Sequence, residues 1–320
     1  MGSSSQAGRS SAEDERSSIH ISLHRFQGSV SQSAYDDLAV EEPLEIQLGY
    51  GNGQVKSISV TMRTPGNDLE LAAGFLMTEG VVHDVNDIDR IEYVTPHAGD
   101  PTLQQSQVNQ PDRSYQDILP YRPERNIVRA TLLPEIEVSL ANLQRNFYTT
   151  SSCGICGKAS LLALQTVCPP RRKNDFTMDS QILYQLQQRL RLAQGVFDKT
   201  GGLHGAGLFD AVGTLYAIRE DVGRHNAVDK LIGSEFLADR TPLSDRLLLL
   251  SGRASFELMQ KALMGGISLV AAVGAPSSLA VQVAKQFDIT LIGFLREEHF
   301  NVYHGVERIH DYSSDAGESR

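Results

Sequence analysis

The sequence predicts an α/β protein with a smaller α+β part ahead of it. From about residue 200 onward, short continuous apolar runs alternate with amphipathic segments, which is typical of buried parallel strands joined by helices. Before that, two alternating segments flank a glycine-rich turn, which indicates a β-hairpin. The chain has 320 residues, of which 41% are hydrophobic and 21% charged, so it can cover a sheet with helices on both faces.

The amino-terminal part opens with the predicted hairpin. Residues 44–48 and 55–60 alternate between apolar and polar side chains, and the turn between them is rich in glycine. Asn67 or Asp68 is then placed to cap a helix with apolar residues on one face, and that helix ends at Gly80. These elements predict a small α+β domain.

The carboxyl-terminal part reads as a βαβαβ unit with a hairpin added before it. Strands are predicted at residues 247–250, 267–273 and 289–295. Helices are predicted between them at residues 254–264 and 277–287. The added hairpin is predicted at residues 207–210 and 214–219, with a helix at 226–236. Strands joined in this way pair in parallel through right-handed crossovers.

Two segments lack any apolar periodicity. The Ser-rich and charged amino terminus cannot bury enough surface to offset its conformational entropy, and a second polar stretch is crowded with Gln, Pro, Asp and Asn. We therefore expect a disordered tail at 1–20, an amino-terminal domain at 21–145 with an insertion at 97–124, a carboxyl-terminal domain at 146–312 and a second tail at 313–320.

Charge and hydropathy exclude several classes of protein. The chain has 29 Lys and Arg residues and 39 Asp and Glu residues, so its net charge is −10, which argues against nonspecific nucleic-acid binding. No apolar stretch approaches the ~20 residues that a membrane-spanning helix needs, and the amino terminus has no apolar signal core. We expect a cytoplasmic protein that binds neither nucleic acid nor membrane.

Cysteine chemistry is the strongest local signal. Of three cysteines, Cys153 and Cys156 form a Cys-x-x-Cys pair in a glycine-flanked loop before a helix-like run. The helix dipole and the nearby Lys158 would stabilise a thiolate there. Such a thiolate can attack sulfur, hold a persulfide or bind a metal, while the simplest interpretation is two small packed side chains. Cys168, beside Pro169, is expected to be structural.

Zinc is the rival interpretation of the pair, because Cys-x-x-Cys supplies two of the four ligands of a tetrahedral site. Cys168 and His204 are the available further ligands, and neither belongs to a second close pair. A zinc deaminase would also need a proline before the pair, where this chain has Ser152, and an upstream His-x-Glu, which is lacking.

Candidate binding residues follow from the predicted sheet, because parallel sheets bind ligands outside the carboxyl ends of their strands. The loops at 251–255 and 274–278 are rich in small residues and suit phosphate, and Arg253 adds a bidentate donor. No Walker loop is found in the sequence. The candidate residues are His204, Arg224, His225, Ser251, Gly252, Arg253, Phe294, Leu295, Arg296, Glu297, Glu298 and His299.

Four motifs in order resemble the FdhD/NarQ family of sulfur carrier proteins required for formate dehydrogenase activity. They are Ser-Ser-Cys-Gly-Ile-Cys-Gly-Lys-Ala-Ser at 151–160, Gly-Gly-Leu-His at 201–204, Glu-Asp-Val-Gly-Arg-His-Asn-Ala-Val-Asp-Lys at 220–230 and Ser-Gly-Arg at 251–253. The resemblance runs from about residue 40 to 310. Several motifs in family order are far more specific than one Cys-x-x-Cys pair.

The resemblance implies a sulfurtransferase that accepts sulfur from a cysteine desulfurase as a cysteine persulfide. The sulfur would pass to molybdenum bis(molybdopterin guanine dinucleotide), which then goes to formate dehydrogenase. It also implies a cytidine-deaminase-like three-layer α/β/α domain without the zinc site, and a homodimer. Cys153 matches the persulfide position, Cys156 the second cysteine of the loop, and 294–299 the cofactor-binding stretch. GDP-like ligands are candidates for the same site.

Two alternatives stay open beside this one. The first is a zinc-binding deaminase-like module. The second is a chaperone that inserts the cofactor without transferring sulfur, in which case both cysteines would be dispensable.

Overall fold

The structure is a computed structural model that describes residues 17–51, 53–95, 125–136, 164 and 175–311. The strands are β1 (Ser18–Gln27), β2 (Val30–Ala39), β3 (Glu42–Tyr50), β4 (Gln54–Arg63), β5 (Ile88–Tyr93), β6 (Ile127–Leu132), β7 (Met178–Asp179), β8 (His204–Phe209), β9 (Leu215–Asp221), β10 (Leu247–Leu250), β11 (Leu269–Ala272), β12 (Thr290–Gly293), β13 (Asn301–His304) and β14 (Ile309–His310). The helices are α1 (Asp68–Thr78), α2 (Ser180–Ala193), α3 (Gly195–Thr200), α4 (Arg224–Leu237), α5 (Phe256–Met264) and α6 (Ser278–Gln286), with 3₁₀ turns at Val85–Asp87 and Val306–Arg308.

The central sheet has six strands in the order β13-β12-β11-β10-β8-β9. Strands β10, β11 and β12 pair in parallel, so the predicted βαβαβ unit is confirmed. The predicted added hairpin is β8 and β9, which pair antiparallel, and β8 runs antiparallel to β10. The α/β class is therefore confirmed, while the finer likeness to cytidine deaminases stays a prediction.

Both faces of this sheet are covered, as the continuous apolar strands predict. In β10 the side chains alternate between two cores: Leu248 and Leu250 belong to one, Leu247 and Leu249 to the other. The first core also holds buried residues of α4, α5 and α6. Helix α2, which the sequence analysis did not assign, covers the second core with Leu183, Leu186 and Leu190.

The amino-terminal part contains a four-stranded sheet in the order β4-β3-β6-β5. Its β3–β4 pair is the predicted hairpin, and α1 is the predicted helix. The capping expectation was wrong in its chemistry, because Asn67 adopts a left-handed backbone, φ 57°, and its side chain makes no cap hydrogen bond. The carboxylate of Asp68 instead accepts hydrogen bonds from the buried guanidinium of Arg63 at 2.9 and 3.0 Å.

A separate two-stranded hairpin, β1–β2, precedes this sheet. It begins at Ser18, inside the segment 1–20 that we expected to be a tail, and residues 1–16 lie outside the described part of the chain. The side chain of Phe26, near the hairpin turn, is 72% exposed. Helix α3 contacts β2, which connects the hairpin to the carboxyl-terminal half.

The two halves of the chain share one core. Residues of β3, β6 and α1 join residues of β8, α4 and α5 in a single apolar cluster. Helices α1 and α4 cross so closely that a Cβ atom built at Gly74 would lie 1.9 Å from the carbonyl oxygen of Asp229. A Cβ atom at Gly233 would lie 1.9 Å from the carbonyl oxygen of Glu70. Only glycine permits this contact.

A buried charge cluster joins α1, α4 and α5 beside that crossing. The ammonium of Lys261 lies 2.9 Å from Asp229 and 3.3 Å from Glu79, and its Nζ also contacts Thr78 Oγ1 at 3.1 Å. The Thr78 hydroxyl donates to Asp229 at 2.8 Å. Burial raises the pKa of Asp229 to about 6, a shift that Lys261 opposes, so the pair is charged at neutral pH.

Several sequence predictions fall outside the described residues. These are the loop cysteines Cys153 and Cys156, the third cysteine Cys168 and the insertion at 97–124. Within the described ranges, no helix is both long and apolar enough to span a bilayer.

Candidate functional site

The candidate site lies where several strands of the central sheet meet at one edge. Strands β10, β11 and β12 end there, β8 starts there with His204, and β9 ends there with Asp221, which pairs with His204. Ser251 fixes the edge next to β10: its N–H donates to the Gly205 carbonyl at 2.9 Å, and its hydroxyl accepts from the Gly205 N–H at 2.8 Å. The predicted placement of the loops at this edge is confirmed.

A pocket of about 440 Å³ opens at this edge, on the side covered by α2 and α3. Its wall combines apolar side chains with a few polar groups. The lining residues are Gln187, Leu190, Arg191, Gln194, Phe197, Gly201, Gly202, Leu203, His204, Ser251 and Val273. Of the predicted binding residues, His204 and Ser251 therefore line the pocket directly.

A cluster of basic side chains continues from His204 to the start of α4. Burial lowers the pKa of His204, and the positive charge of Arg224 lowers it further. The pKa of His225 falls to about 4 because of burial and then the charges of Arg224 and Lys261, while Glu257 opposes the shift. Both imidazoles are thus neutral at pH 7, and Arg224 supplies the fixed positive charge.

Buried residues of the same sequence motif hold the start of α4 in place. Asp221, fully buried, lies 2.7 Å from the Lys230 ammonium. Its carboxylate also accepts the N–H groups of Thr64 at 3.1 Å and Gly223 at 2.8 Å. Because Asp221 ends β9 and its carboxylate contacts both α4 and the residue that follows β4, it fixes the position from which Arg224 projects.

Asn226 belongs to this structural set and not to the binding surface. It directly follows the candidate residues Arg224 and His225 in the sequence. In the structure its side-chain amide donates to the Met62 carbonyl at 2.8 Å and to Asp221 at 3.0 Å, and its oxygen accepts from Thr61 at 3.1 Å. All its polar atoms are thus used inside the fold.

The two small-residue loops run side by side. Gly274 donates its N–H to the Gly252 carbonyl at 2.8 Å, and Ser277 donates to the Ala254 carbonyl at 2.9 Å. Ser255 and Ser277 then cap α5 and α6, with their hydroxyls accepting backbone N–H groups. The positive ends of two helix dipoles therefore point to the same edge, where Arg253 is exposed.

The stretch at 294–299 follows β12, and its residues have different environments. Leu295 is fully buried in the core, so its side chain cannot reach a ligand. Arg296 donates to the carbonyls of Val273 at 2.7 Å and of Leu295 at 2.8 Å, which places its guanidinium beneath the pocket wall. Phe294, with φ 54°, is 39% exposed. The side chains of Glu297, Glu298 and His299 are exposed.

Comparison with known proteins decides the family. The model of the FdhD/NarQ family matches residues 39–310. The chain belongs to the FdhD/NarQ family. Among relatives of this family, the sulfur carrier protein FdhD of Streptomyces avermitilis is 47% identical over 281 residues, covering 86% of this chain and 89% of that protein. The sulfur carrier protein FdhD of Sulfolobus acidocaldarius is 36% identical over 293 residues, covering 90% and 97%.

A solved structure shows the same fold as this FdhD/NarQ chain. It is described as a formate dehydrogenase accessory protein from Desulfotalea psychrophila, with a TM-score of 0.66 and 23% identity. The match covers 92% of this chain and 100% of that one.

The pocket wall of this FdhD/NarQ member includes residues that were not predicted from the sequence. Helices α2 and α3 and the residue between them supply these side chains, and no helix was predicted there. The residues are Gln187, Leu190, Arg191, Gln194 and Phe197. The signal was available, since an apolar side chain recurs at the helical spacing of α2 after an aspartate cap. Within the described residues, no three His, Asp or Glu side chains converge as metal ligands.

Proposed function

We propose that this protein is a sulfurtransferase that carries sulfur as a cysteine persulfide. It takes the sulfur from a cysteine desulfurase and delivers it to molybdenum bis(molybdopterin guanine dinucleotide), the cofactor that formate dehydrogenase requires. The observation that carries the proposal is membership of the FdhD/NarQ family, whose curated relatives are named sulfur carrier proteins. The Cys-x-x-Cys pair supplies the chemical group that such a carrier needs.

The loading step is a thiolate attack on sulfur. The Cys153 thiolate attacks the outer sulfur of the persulfide on the desulfurase, forming a new S–S bond, and the desulfurase cysteine leaves as a thiolate. Cys153 is left as a persulfide, so no external oxidant is consumed. The persulfide sulfur of Cys153 is then passed to the bound cofactor.

The receiving site is proposed to be the sheet edge with its basic cluster. On a chain of net charge −10, Arg224 and Arg253 gather positive charge at one place, and the amino termini of α5 and α6 add to it. This arrangement favours the phosphate groups of a dinucleotide. The adjoining pocket is large enough for part of such a cofactor.

The assembly and location of the protein follow from the same proposal. Its partners are a cysteine desulfurase and formate dehydrogenase, and it acts as a homodimer in the cytoplasm. Measurement of the mass in solution by light scattering tests the dimer, and a monomeric mass would contradict it.

Mass spectrometry after incubation with a cysteine desulfurase and cysteine tests the sulfur-carrying step. We expect an adduct of about 32 Da that reductant removes and that Cys153→Ala abolishes. Cys168→Ala is the matched control and should keep the adduct. No adduct on the wild type would refute sulfur transfer.

The same variants distinguish the other two hypotheses. Formate dehydrogenase activation that survives both Cys153→Ala and Cys156→Ala would favour a chaperone that only inserts the cofactor. Stoichiometric zinc that is lost with Cys156→Ala would favour a zinc-binding module.

A further inference from the structure

Gln194 is a buried polar residue that the fold leaves without a hydrogen-bond partner. Gln194 lies between α2 and α3, is only 4% exposed and lines the pocket. Its Nε2 atom has no hydrogen-bond partner within the described part of the chain. A buried amide without a partner destabilises the folded state, so its presence at a pocket wall needs an explanation.

The fold makes a specific space for this carboxamide. A Cβ atom built at Gly205 would lie 2.7 Å from Gln194 Nε2, so any other residue at that position would displace the amide. Gly205 does not satisfy the amide: its carbonyl accepts from the Ser251 N–H, its own N–H donates to the Ser251 hydroxyl, and neither group bonds to Gln194 Nε2. The side chain is therefore held in place but not satisfied by its neighbours.

The surroundings of Gln194 suit a planar, uncharged group better than a phosphate. Leu190, Leu203 and Val273 make much of the pocket wall apolar. The Arg191 guanidinium lies over the Phe197 ring at 4.6 Å, and Asp198 compensates its charge at 3.1 Å. Such a guanidinium–aromatic pair can flank a flat heterocycle.

We propose that Gln194 recognises the base of the guanine nucleotide, an inference that rests on the proposed function. The carboxamide oxygen accepts from the guanine N1–H, and the amide nitrogen donates to O6. The side-chain amide thus gains the hydrogen-bond partner that it lacks in the fold. The base lies beside Arg191 and Phe197. The phosphates then extend toward Arg224 and Arg253. No bond is made or broken in this recognition.

A double-mutant cycle between side chain and base tests the contact. The affinity of GDP is compared with that of the 2-aminopurine ribonucleoside diphosphate, which lacks both O6 and the N1 proton but keeps the sugar and phosphates. Titrations use the wild type, Gln194→Met and, as a second variant that keeps the shape and the acceptor oxygen but replaces the amide donor by a second oxygen, Gln194→Glu. Gln188→Met is the control, because Gln188 lies on the same helix, is exposed and does not line the pocket.

The wild type and Gln188→Met should bind GDP at least about tenfold more tightly than the analogue. In Gln194→Met this ratio should fall close to one, whereas Gln194→Glu, whose carboxylate still accepts from the guanine N1–H, should keep a preference for GDP. A general defect in Gln194→Met would weaken both ligands alike and leave the ratio unchanged, so an unchanged ratio in that variant overturns the inference. A wild type that binds neither nucleotide overturns it too. The persulfide assay needs no nucleotide and still reports on sulfur transfer by itself.

Discussion

Replacing Gly233 by alanine tests how strictly the α1–α4 crossing constrains the fold. Alanine is the better helix former by about 1 kcal/mol, so in an uncrowded helix the change stabilises. At the crossing, however, the new Cβ atom would lie 1.9 Å from the Glu70 carbonyl oxygen. Carbon and oxygen atoms in favourable contact stand about 3.3 Å apart, so the helices must separate by more than about 1 Å. Backbone, not a flexible side chain, has to move.

The cost of that separation exceeds the gain in helix propensity. Crowding in a packed core costs 1–3 kcal/mol, and a clash with backbone falls near the upper end, about 3 kcal/mol. The net loss is about 2 kcal/mol, and for 320 residues, with an unfolding entropy of about 0.7 kcal/mol per kelvin, the melting temperature would fall by roughly 3 °C. The shift also disturbs the Asp229–Lys261 ion pair, because Asp229 is on α4.

Differential scanning fluorimetry of Gly233→Ala and Gly195→Ala measures the effect. Gly195 opens α3, and a Cβ atom there would meet no other atom within 4 Å, so Gly195→Ala should melt at or slightly above the wild-type temperature. If Gly233→Ala melted as high as Gly195→Ala, the crossing would not be the constraint that we infer.

Three further predictions concern charge. The pKa of His225 is about 4 in the folded protein against an ordinary 6.5, so between those values the unfolded chain binds more protons and the free energy of unfolding falls as pH drops. His225→Gln should flatten that fall in urea titrations from pH 7 to 4.5, and an unchanged slope would contradict the shift. Lys261→Met leaves Asp229 and Glu79 buried without their cation and should lower the free energy of unfolding by about 3–5 kcal/mol, as measured by urea denaturation. A decrease below about 1 kcal/mol would refute the charged cluster. Arg253→Ala should weaken GDP binding about tenfold in calorimetry with little change in melting temperature, because the side chain is exposed, and unaltered affinity would remove Arg253 from the site.

The parts of the fold predicted well from sequence are those whose local pattern and burial agree. Four consecutive leucines gave the exact bounds of β10, since a strand buried on both faces has no polar position. The starts of α5 and α6 were likewise predicted within two residues of those observed, Phe256 and Ser278. The meeting of the loops before α5 and α6 at one edge of the sheet was also predicted, because parallel strands end at the same edge.

The parts missed were of two kinds. In β1 the alternation of Ile19, Ile21 and Leu23 was present, but the neighbouring Ser-rich composition led to a tail being expected there. Gln194 and Asn226 had no usable signal, because their roles depend on partners far along the chain. Asn226 is bonded to β4, some 160 positions earlier, and Gln194 lies against a glycine that gives no pattern of its own.

The core shared by the two halves limits how the chain can be divided into fragments. A fragment starting at residue 175 would retain the central sheet but lose α1, so the face of α4 around Gly233 would open to water. Lys261 would then lose Glu79, and Lys230 would lose the Thr64 carbonyl that it now contacts at 2.8 Å. The halves should therefore be insoluble when expressed alone and recover solubility when co-expressed, so that reconstitution from two pieces, and not truncation, is the practical way to label one half separately.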